Sequence, residues 1–192
     1  MKKLVLMMGG QGSGKGTMSK KILETNNNFT YIETGAMLRD LPDENPLKQI
    51  ISRGEMVPDR DVCKLLESKI ATAPADVLLD GFPRKVSQAQ WLINTFGTKF
   101  ATIAVYLNIP ESLMLKRIQN RINEGGNRAD DADTVAVRRR LDTFQRETMP
   151  AINWLRTAKN VLFLEIPIAD APIEQNYETL TKILIANKVI SR

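Results

Sequence analysis

The sequence predicts an α/β fold in which a parallel β-sheet carries helices on both faces. Short apolar runs alternate with longer amphipathic runs along almost the whole chain, which is the order of β-α-β units. A glycine-rich turn, residues 9–16, directly follows the first apolar run. Because ligands bind beyond the carboxyl ends of the strands in such sheets, this turn indicates where the functional site lies.

Five short apolar runs are predicted as strands, and most of the chain between them as helices. The strands cover 3–8, 29–33, 77–80, 102–107 and 161–166. The helices cover 15–25, 34–40, 46–53, 59–72, 86–95, 110–122, 133–157 and 172–188. Asp59 is a candidate cap of the fourth helix, and Pro150 is expected to bend or interrupt the seventh. Residues 123–131 are polar and contain two glycines, which predicts a mobile loop.

Length and composition limit the class of protein. A chain of 192 residues is long enough for one domain with small insertions and short for two full domains. It has no run of eighteen apolar residues, so no membrane span is expected. The apolar stretch after Lys2 and Lys3 is too short for a signal peptide and runs into glycine. We therefore expect a first strand there, and a cytoplasmic, monomeric protein.

The absence of histidine and the presence of a single cysteine exclude several chemistries. Without histidine there is no Ser-His or Cys-His nucleophile and no imidazole metal site. Cys63 alone cannot form a disulfide within the chain, and we expect no zinc site. Catalysis then depends on Lys, Arg, Asp, hydroxyl groups, backbone N–H groups and a borrowed metal ion. Cys63 itself is expected to be a small buried hydrophobe.

The formal net charge of +5 is compatible with a nucleic-acid surface or with a pocket for small polyanions. Aromatic residues make up only 6% of the chain, so nucleic-acid bases would find few stacking platforms. Several arginines lie at spaced positions after the glycine-rich turn. We therefore expect small polyanionic ligands and no nucleic acid.

The glycine-rich turn has the spacing of a phosphate loop. Gly9, Gly14 and Lys15 fit the pattern G-x-x-x-x-G-K, between a predicted strand and a predicted helix. Glycines allow backbone N–H groups to point at phosphate oxygens, the helix N-terminus adds partial positive charge, and lysine adds a full one. The residue after the lysine is Gly16, and the hydroxyl follows one position later, at Thr17. The alternative is a glycine-rich turn with an incidental lysine.

Four further segments follow in order. They are TGAMLR at 34–39, GEMVPD at 54–59, LDGFPR at 79–84 with Gln88 after it, and RADD at 128–131 followed by RRRL at 138–141. With Lys15-Gly16-Thr17 they resemble the motifs of nucleoside monophosphate kinases, most closely the adenylate kinase family, over nearly the whole chain. The resemblance implies a P-loop NTPase-type sheet with an NMP-binding insertion at 34–63 and a short lid at 122–132.

The resemblance also implies an activity, namely transfer of the γ-phosphoryl group of MgATP to AMP, giving two ADP. The implied ATP-binding residues are Gly12, Ser13, Gly14, Lys15, Gly16, Thr17, Arg117 and Arg121. The implied AMP-binding residues are Thr34, Arg39, Val57, Gly81, Arg84, Gln88, Arg128 and Arg140. The implied catalytic residues are Lys15, Arg84, Arg121, Arg128 and Arg140, with Thr17 and Asp80 near Mg²⁺ through its waters.

Physical chemistry supports these roles independently. Phosphoryl transfer needs positioning and stabilisation of negative charge rather than covalent chemistry by the protein. Arginine suits the task because its planar fork grips phosphate through two hydrogen bonds. Arg117 and Arg121 are four residues apart on a predicted helix and share a face. Residues 138–140 are three consecutive arginines and cannot all face one site.

The chain departs from the family pattern at several positions. Ala36 stands where the family usually has Asp, which puts the organisation of the AMP site in question, and Gln11 replaces a common Pro. The lid segment has no cysteine and is similar to short, zinc-free lids. The spacing after Arg128 leaves Arg139 and Arg140 as alternatives, and we choose Arg140 because it directly precedes Leu141.

Each site residue also has a purely structural alternative. Asp80 could cap the turn at Gly81. Arg39 and Arg84 could be ordinary surface charges. Gln88 and Thr34 could be surface residues of a turn or a helix. The two tryptophans, Trp91 and Trp154, lie in amphipathic patterns and are expected in the core rather than stacked on a base.

Three rival functions remain. A UMP/CMP kinase would typically have Ala at position 34 and Asn after the FPR motif, so Thr34, Lys85 and Gln88 favour AMP. A catalytically silent nucleotide-binding protein is the second, although the charged residues of the motifs are present. An RNA-binding protein is the third, and its affinity would fall steeply with salt.

Overall fold

Five strands of the described residues form one parallel sheet. They are β1 (Lys2–Met8), β2 (Phe29–Glu33), β3 (Asp76–Asp80), β4 (Phe100–Asn108) and β5 (Val161–Pro167). Their order in the sheet is β2-β3-β1-β4-β5, and every neighbouring pair is parallel. The computed structural model describes residues 1–52, 55, 57–123 and 134–191. The predicted α/β fold with a parallel sheet is confirmed.

Helices connect and cover the strands. In the described residues they are α1 (Lys15–Thr25), α2 (Thr34–Arg39), α3 (Pro46–Ser52), α4 (Asp59–Ala71), α5 (Val86–Phe96), α6 (Glu111–Asn123), α7 (Thr134–Thr143), α8 (Met149–Thr157) and α9 (Ile173–Ala186). Most predicted boundaries differ from these by one or two residues. None of the described helices is long and apolar enough to cross a membrane.

The core lies on both faces of the sheet because successive strand residues point to opposite sides. Leu4 and Leu6 of β1 belong to one buried cluster, with Phe96 of α5. Val5 and Met7 of the same strand belong to the other, with residues of α1, α6 and α9. Burial on both faces explains why the strands are continuous apolar runs.

The predicted helix at 133–157 is interrupted, as expected, just before Pro150. A π-helical turn, Phe144–Thr148, separates α7 from α8. Pro150 has no N–H, and its ring would clash with the carbonyl four residues earlier, at Arg146. Widening the helix at that residue relieves the clash, so the irregularity has a local cause.

Three expectations about individual side chains have different outcomes. Asp59 is the first residue of α4 rather than its cap, because Pro58 holds the cap position and no side chain caps the helix. The prediction of an Asp59 cap was therefore wrong. Trp91 packs edge-to-face against Phe82 and Phe96, and both tryptophans lie against the core as expected. Cys63 is buried, also as expected.

The two predicted insertions fall on specific parts of this fold. Residues 34–63 contain α2, α3 and the first turn of α4, with 53, 54 and 56 outside the described residues. Of the predicted lid at 122–132, only Ile122 and Asn123 are described, as the end of α6. The predicted loop at 123–131 lies outside the described residues beyond position 123.

Candidate active site

The phosphate loop connects the carboxyl end of β1 to α1. Gly12 and Gly14 have φ values of 78° and 89°, in the left-handed region that favours glycine. A Cβ on Gly12 would lie 2.9 Å from the carbonyl oxygen of Met114 in α6, so the loop also packs too closely for a side chain. Ser13 is fully buried, and its N–H donates to Gly10 O at 3.2 Å. The loop is thus a tight turn at the amino end of α1, which favours anions.

Lys15 places its ammonium group over this loop. It is the first residue of α1, and Nζ donates to Gly9 O at 2.6 Å and to Gly10 O at 3.0 Å. Ser13 Oγ lies 3.4 Å from the same nitrogen. Gly16 and Thr17 follow in the first turn of α1, where Thr17 is exposed. The positive charge therefore lies at the mouth of the turn that is shaped for phosphate.

Asp80 ends β3, the strand beside β1. It is only 4% exposed, and its Oδ2 accepts a hydrogen bond from the Tyr31 hydroxyl at 3.3 Å. A Cβ added to Gly16 would lie 3.9 Å from Oδ2, so the carboxyl faces the first turn of α1. The pKa of Asp80 is raised overall, mainly by burial and further by the charge of Glu33, although the charge of Lys15 lowers it. Asp80 is therefore a buried carboxyl facing the phosphate loop rather than a simple turn cap.

Arg84 lies in the turn between β3 and α5. Its Nε donates to Gly81 O at 2.9 Å, and Gly81 has a φ of 82° that permits this turn. The residue is exposed to solvent, although many protein atoms surround its guanidinium group. This crowding and the charges of Arg140 and Arg39 lower the pKa of Arg84, whereas Asp80 raises it. Arg39, Arg84 and Arg140 therefore form one positive cluster beside Asp80.

Arg39 ends α2 and contacts a residue that the sequence analysis did not select. Its Nη2 lies 3.0 Å from Glu33 Oε1, at the carboxyl end of β2. Glu33 pairs with Asp80 in the sheet, and the Tyr31 hydroxyl lies between the two carboxyl groups. Burial and the two negative charges raise the pKa of Tyr31, so its hydroxyl stays protonated and donates. Glu33 thus supplies a carboxylate near Arg39, in a chain that has Ala at position 36 where the family usually has Asp.

Three predicted AMP-site residues are buried nearby. Thr34 begins α2 and is 3% exposed, and its Oγ1 has no hydrogen-bond partner in the described residues. Val57, two residues before the start of α4, is also buried. Gln88 is 2% exposed, and its Oε1 accepts from the backbone N–H of Arg84 at 2.7 Å. Gln88 is therefore tied directly to the arginine of the site.

Two predicted ATP-site arginines, Arg117 and Arg121, lie on α6, the helix that packs against Gly12 of the phosphate loop. Arg117 Nη2 donates to Ala169 O at 3.0 Å, in the loop after β5. Asn176 holds that loop, because its amide bonds both the N–H and the carbonyl of Ala169, at 2.8 and 3.2 Å. Arg121 lies one turn further along α6 and is half-buried. Asn176 is a positioning residue that the sequence analysis missed.

Arg140 and Arg139 differ in position although they are adjacent. Arg140 is half-buried and its charge acts on Arg84, whereas Arg139 is exposed. This difference supports the choice of Arg140. Arg128 lies outside the described residues.

The π-helical turn supports the site from behind. Thr148 Oγ1 donates to Arg84 O at 3.2 Å. A Cβ on Gly10 would lie 3.4 Å from the ring of Phe144, so the same turn also lies close to the phosphate loop. No sequence motif signals these contacts, since they join residues more than sixty positions apart.

Comparison with known proteins identifies the family. A family model described as adenylate kinase matches residues 7–160. An adenylate kinase of Porphyromonas gingivalis is 32% identical, with 92% of this chain and 98% of that protein covered. One of Parvibaculum lavamentivorans is 35% identical over 79% of this chain and 78% of its own length. Adenylate kinase isoenzyme 1 of Cyprinus carpio is 28% identical over 95% and 94%. With a match over most of its length, the chain belongs to the adenylate kinase family.

Proposed function

We propose that this chain transfers the γ-phosphoryl group of MgATP to AMP, giving two ADP, between the phosphate loop and Arg84. The observation that carries the proposal is the convergence of charges at the carboxyl edge of the sheet. Lys15 and Arg84 act on the pKa of Asp80, and Arg39 and Arg140 act on that of Arg84. Such a cluster suits a reaction in which negative charge gathers between two phosphates.

The reaction needs no protein nucleophile. A phosphate oxygen of AMP forms a bond to the γ-phosphorus while the bond from that phosphorus to the β–γ bridging oxygen breaks, so ADP forms on both sides. The chain has no histidine, and this mechanism requires none. What the protein supplies is alignment of the two nucleotides and fixed positive charge.

ATP would occupy the side between α1 and α6. The N–H groups of the loop and Lys15 would hold its phosphates. Ile173 lies beside the phosphate loop, since a Cβ on Gly14 would lie 3.9 Å from its Cδ1, and Arg117 bonds Ala169, four residues before Ile173. A planar guanidinium and an apolar side chain suit the two faces of a base.

AMP would occupy the side between α2 and α5. Arg39 and Arg84 would hold its phosphate through charge-assisted hydrogen bonds. The buried Thr34 hydroxyl, which lacks a described partner, supports a polar ligand group beside it, because buried hydroxyls are rarely left unsatisfied. The Gln88 amide, fixed next to Arg84, supports recognition of the base.

Magnesium fits the oxygen donors at this edge. Mg²⁺ favours carboxylate and hydroxyl oxygens, keeps several waters and needs few protein ligands when phosphates bind it too. Asp80 faces the turn that carries Thr17, so both would hold the ion through water. When bound with ATP, magnesium neutralises charge on the β- and γ-phosphates.

The two insertions, 34–63 and 122–132, are proposed to close over the nucleotides. Arg121 and Arg140 come from helices on either side of the lid segment. Together with Arg128 they would meet phosphate charge only when both nucleotides are bound, which gives closure a driving force. Closure would also exclude water and protect ATP from hydrolysis.

The test is a coupled assay that offers MgATP with AMP, dAMP, CMP or UMP. We expect kcat/KM to be highest for AMP, because a buried amide and hydroxyl left unpaired by a wrong base penalise its binding. If CMP or UMP equals AMP, the acceptor assignment fails although the kinase class stands. No transfer to any nucleoside monophosphate would contradict the proposal as a whole.

A further inference from the structure

We propose that Asp59 is a positioning residue that fixes the orientation of the Gln88 amide and thereby the choice of acceptor base. The inference rests on the proposed function, in which Gln88 contacts the base of AMP. Asp59 begins α4, directly after Val57 and Pro58, whereas Gln88 lies in α5. A contact between Asp59 and Gln88 therefore joins the 34–63 insertion to α5, the helix that follows the Arg84 turn.

The Asp59 carboxylate contacts three hydrogen-bond donors in the segment that follows Arg84. Its Oδ2 accepts from Ser87 Oγ at 2.6 Å, and its Oδ1 accepts from Gln88 Nε2 at 2.9 Å. Lys85 Nζ lies 3.1 Å from the same Oδ1. Partial burial by itself raises the pKa of Asp59, but the hydrogen bonds of these donors and the charge of Lys85 lower it overall. The carboxyl is therefore ionised at neutral pH and can only accept hydrogen bonds.

These contacts leave one orientation for the Gln88 amide. The N–H of Arg84 requires an acceptor and takes Oε1, at 2.7 Å. The Asp59 carboxylate requires a donor and takes Nε2. Rotating the amide by half a turn would place two acceptors together at Asp59 and two donors together at Arg84. Each mismatch, at a part-buried contact of the buried Gln88 side chain, is unfavourable, so the amide is fixed at both ends.

A locked amide presents its remaining groups in a fixed order. Gln88 has one N–H and one carbonyl lone pair left, in defined positions. Adenine offers an amino donor next to a ring acceptor, and an amide can pair with both. Hypoxanthine has the same ring shape, but its oxo group and ring N–H reverse the donor and acceptor. The arrangement therefore discriminates AMP from IMP, two acceptors of nearly equal size.

The experiment is a double-mutant cycle read as the ratio of kcat/KM for AMP to kcat/KM for IMP. Both values come from one enzyme preparation, so the ratio is unaffected by partial unfolding of a variant. Gln88→Ala should lower the ratio, and Asp59→Ala should lower it by about ten-fold, the order of one hydrogen bond. Asp59→Asn retains one oxygen acceptor for Nε2 and should recover most of the ratio. Ser87→Ala removes a different donor from the same carboxylate and should leave the ratio unchanged.

The combined variant decides how Asp59 acts. If Asp59 acts through Gln88, adding Asp59→Ala to Gln88→Ala should not lower the ratio further. An equal loss in both backgrounds would mean an independent effect and would overturn the inference. An unchanged ratio in Asp59→Ala, with a reduced ratio in Gln88→Ala, would also overturn it while the proposed function stands. An unchanged ratio in Gln88→Ala would remove the base contact itself, and both proposals about the acceptor base would fail.

Discussion

Lys15→Met is the substitution whose effect follows most directly from the site. Methionine keeps nearly the length of the side chain and removes its charge. The ammonium donates to Gly9 O, Gly10 O and Ser13 Oγ at 2.6, 3.0 and 3.4 Å, so the substitution removes three local hydrogen bonds. Each is worth about 0.5–1.5 kcal/mol net, and Lys15 is only half-buried, so we expect the variant to fold with a slightly lower Tm. The loss of one fixed charge at the transferring phosphate should lower kcat at least ~100-fold.

The assay measures kcat with saturating MgATP and AMP, together with thermal unfolding of the same preparation. Lys20→Met is the matched control, because Lys20 lies on the same helix and is exposed. It should leave kcat unchanged. A Lys15→Met enzyme that stays folded and turns over like the Lys20→Met control would refute the assignment of the phosphate loop.

Four further results are expected. Leu66→Ala should lower the free energy of unfolding, measured by urea denaturation, by about 2–5 kcal/mol, because the Leu66 side chain is fully buried. The control Leu115→Ala should alter it by less than about 0.5 kcal/mol, because Leu115 is 43% exposed. Arg140→Ala should lower kcat at least about ten-fold and Arg139→Ala much less, since Arg140 is half-buried and its charge acts on Arg84 whereas Arg139 is exposed; equal effects in steady-state assays would contradict this. The pKa of Asp59 is lower in the folded than in the unfolded chain, so the ionised carboxylate stabilises the fold fully at neutral pH, and this contribution disappears as the pH falls below about 4. The difference in unfolding free energy between wild type and Asp59→Asn should therefore shrink below that pH. A difference that is constant with pH would be evidence against the lowered pKa. Elemental analysis should find no stoichiometric zinc, because the chain has no histidine and its described residues contain no group of three metal-ligating side chains; one zinc per chain would contradict this.

The fold was predictable because the signals that determine it are local. Buried parallel strands are short apolar runs, and β1 through β5 all stand out in this way. The ends of strands were less predictable. Asn108 and Pro167 extend β4 and β5 only because they pair with each other across the sheet. A polar residue and a proline give no strand signal by themselves.

Site residues that belong to a short sequence motif could be predicted, whereas contacts that depend on packing between distant residues could not. The phosphate loop could be read because its glycines and lysine are adjacent in sequence. The contact between Asp59 and Gln88 joins residues 29 positions apart, and sequence reasoning gave Asp59 a helix cap instead. Thr148 is 64 positions from Arg84 and reaches it because of the π-helical turn. Such contacts need the tertiary fold before they can be seen.

Phosphoryl transfer between ATP and AMP is tested most directly by following the phosphorus atom. The enzyme is incubated with ATP labelled at the γ-phosphate and unlabelled AMP in the presence of Mg²⁺, and the early products are separated before the reverse reaction mixes the label. Phosphoryl transfer from ATP to AMP predicts that each ATP consumed gives one ADP labelled at its β-phosphate, made from AMP, and one unlabelled ADP. Release of the label as inorganic phosphate, or ATP consumption that does not depend on AMP, would contradict phosphoryl transfer between the two nucleotides.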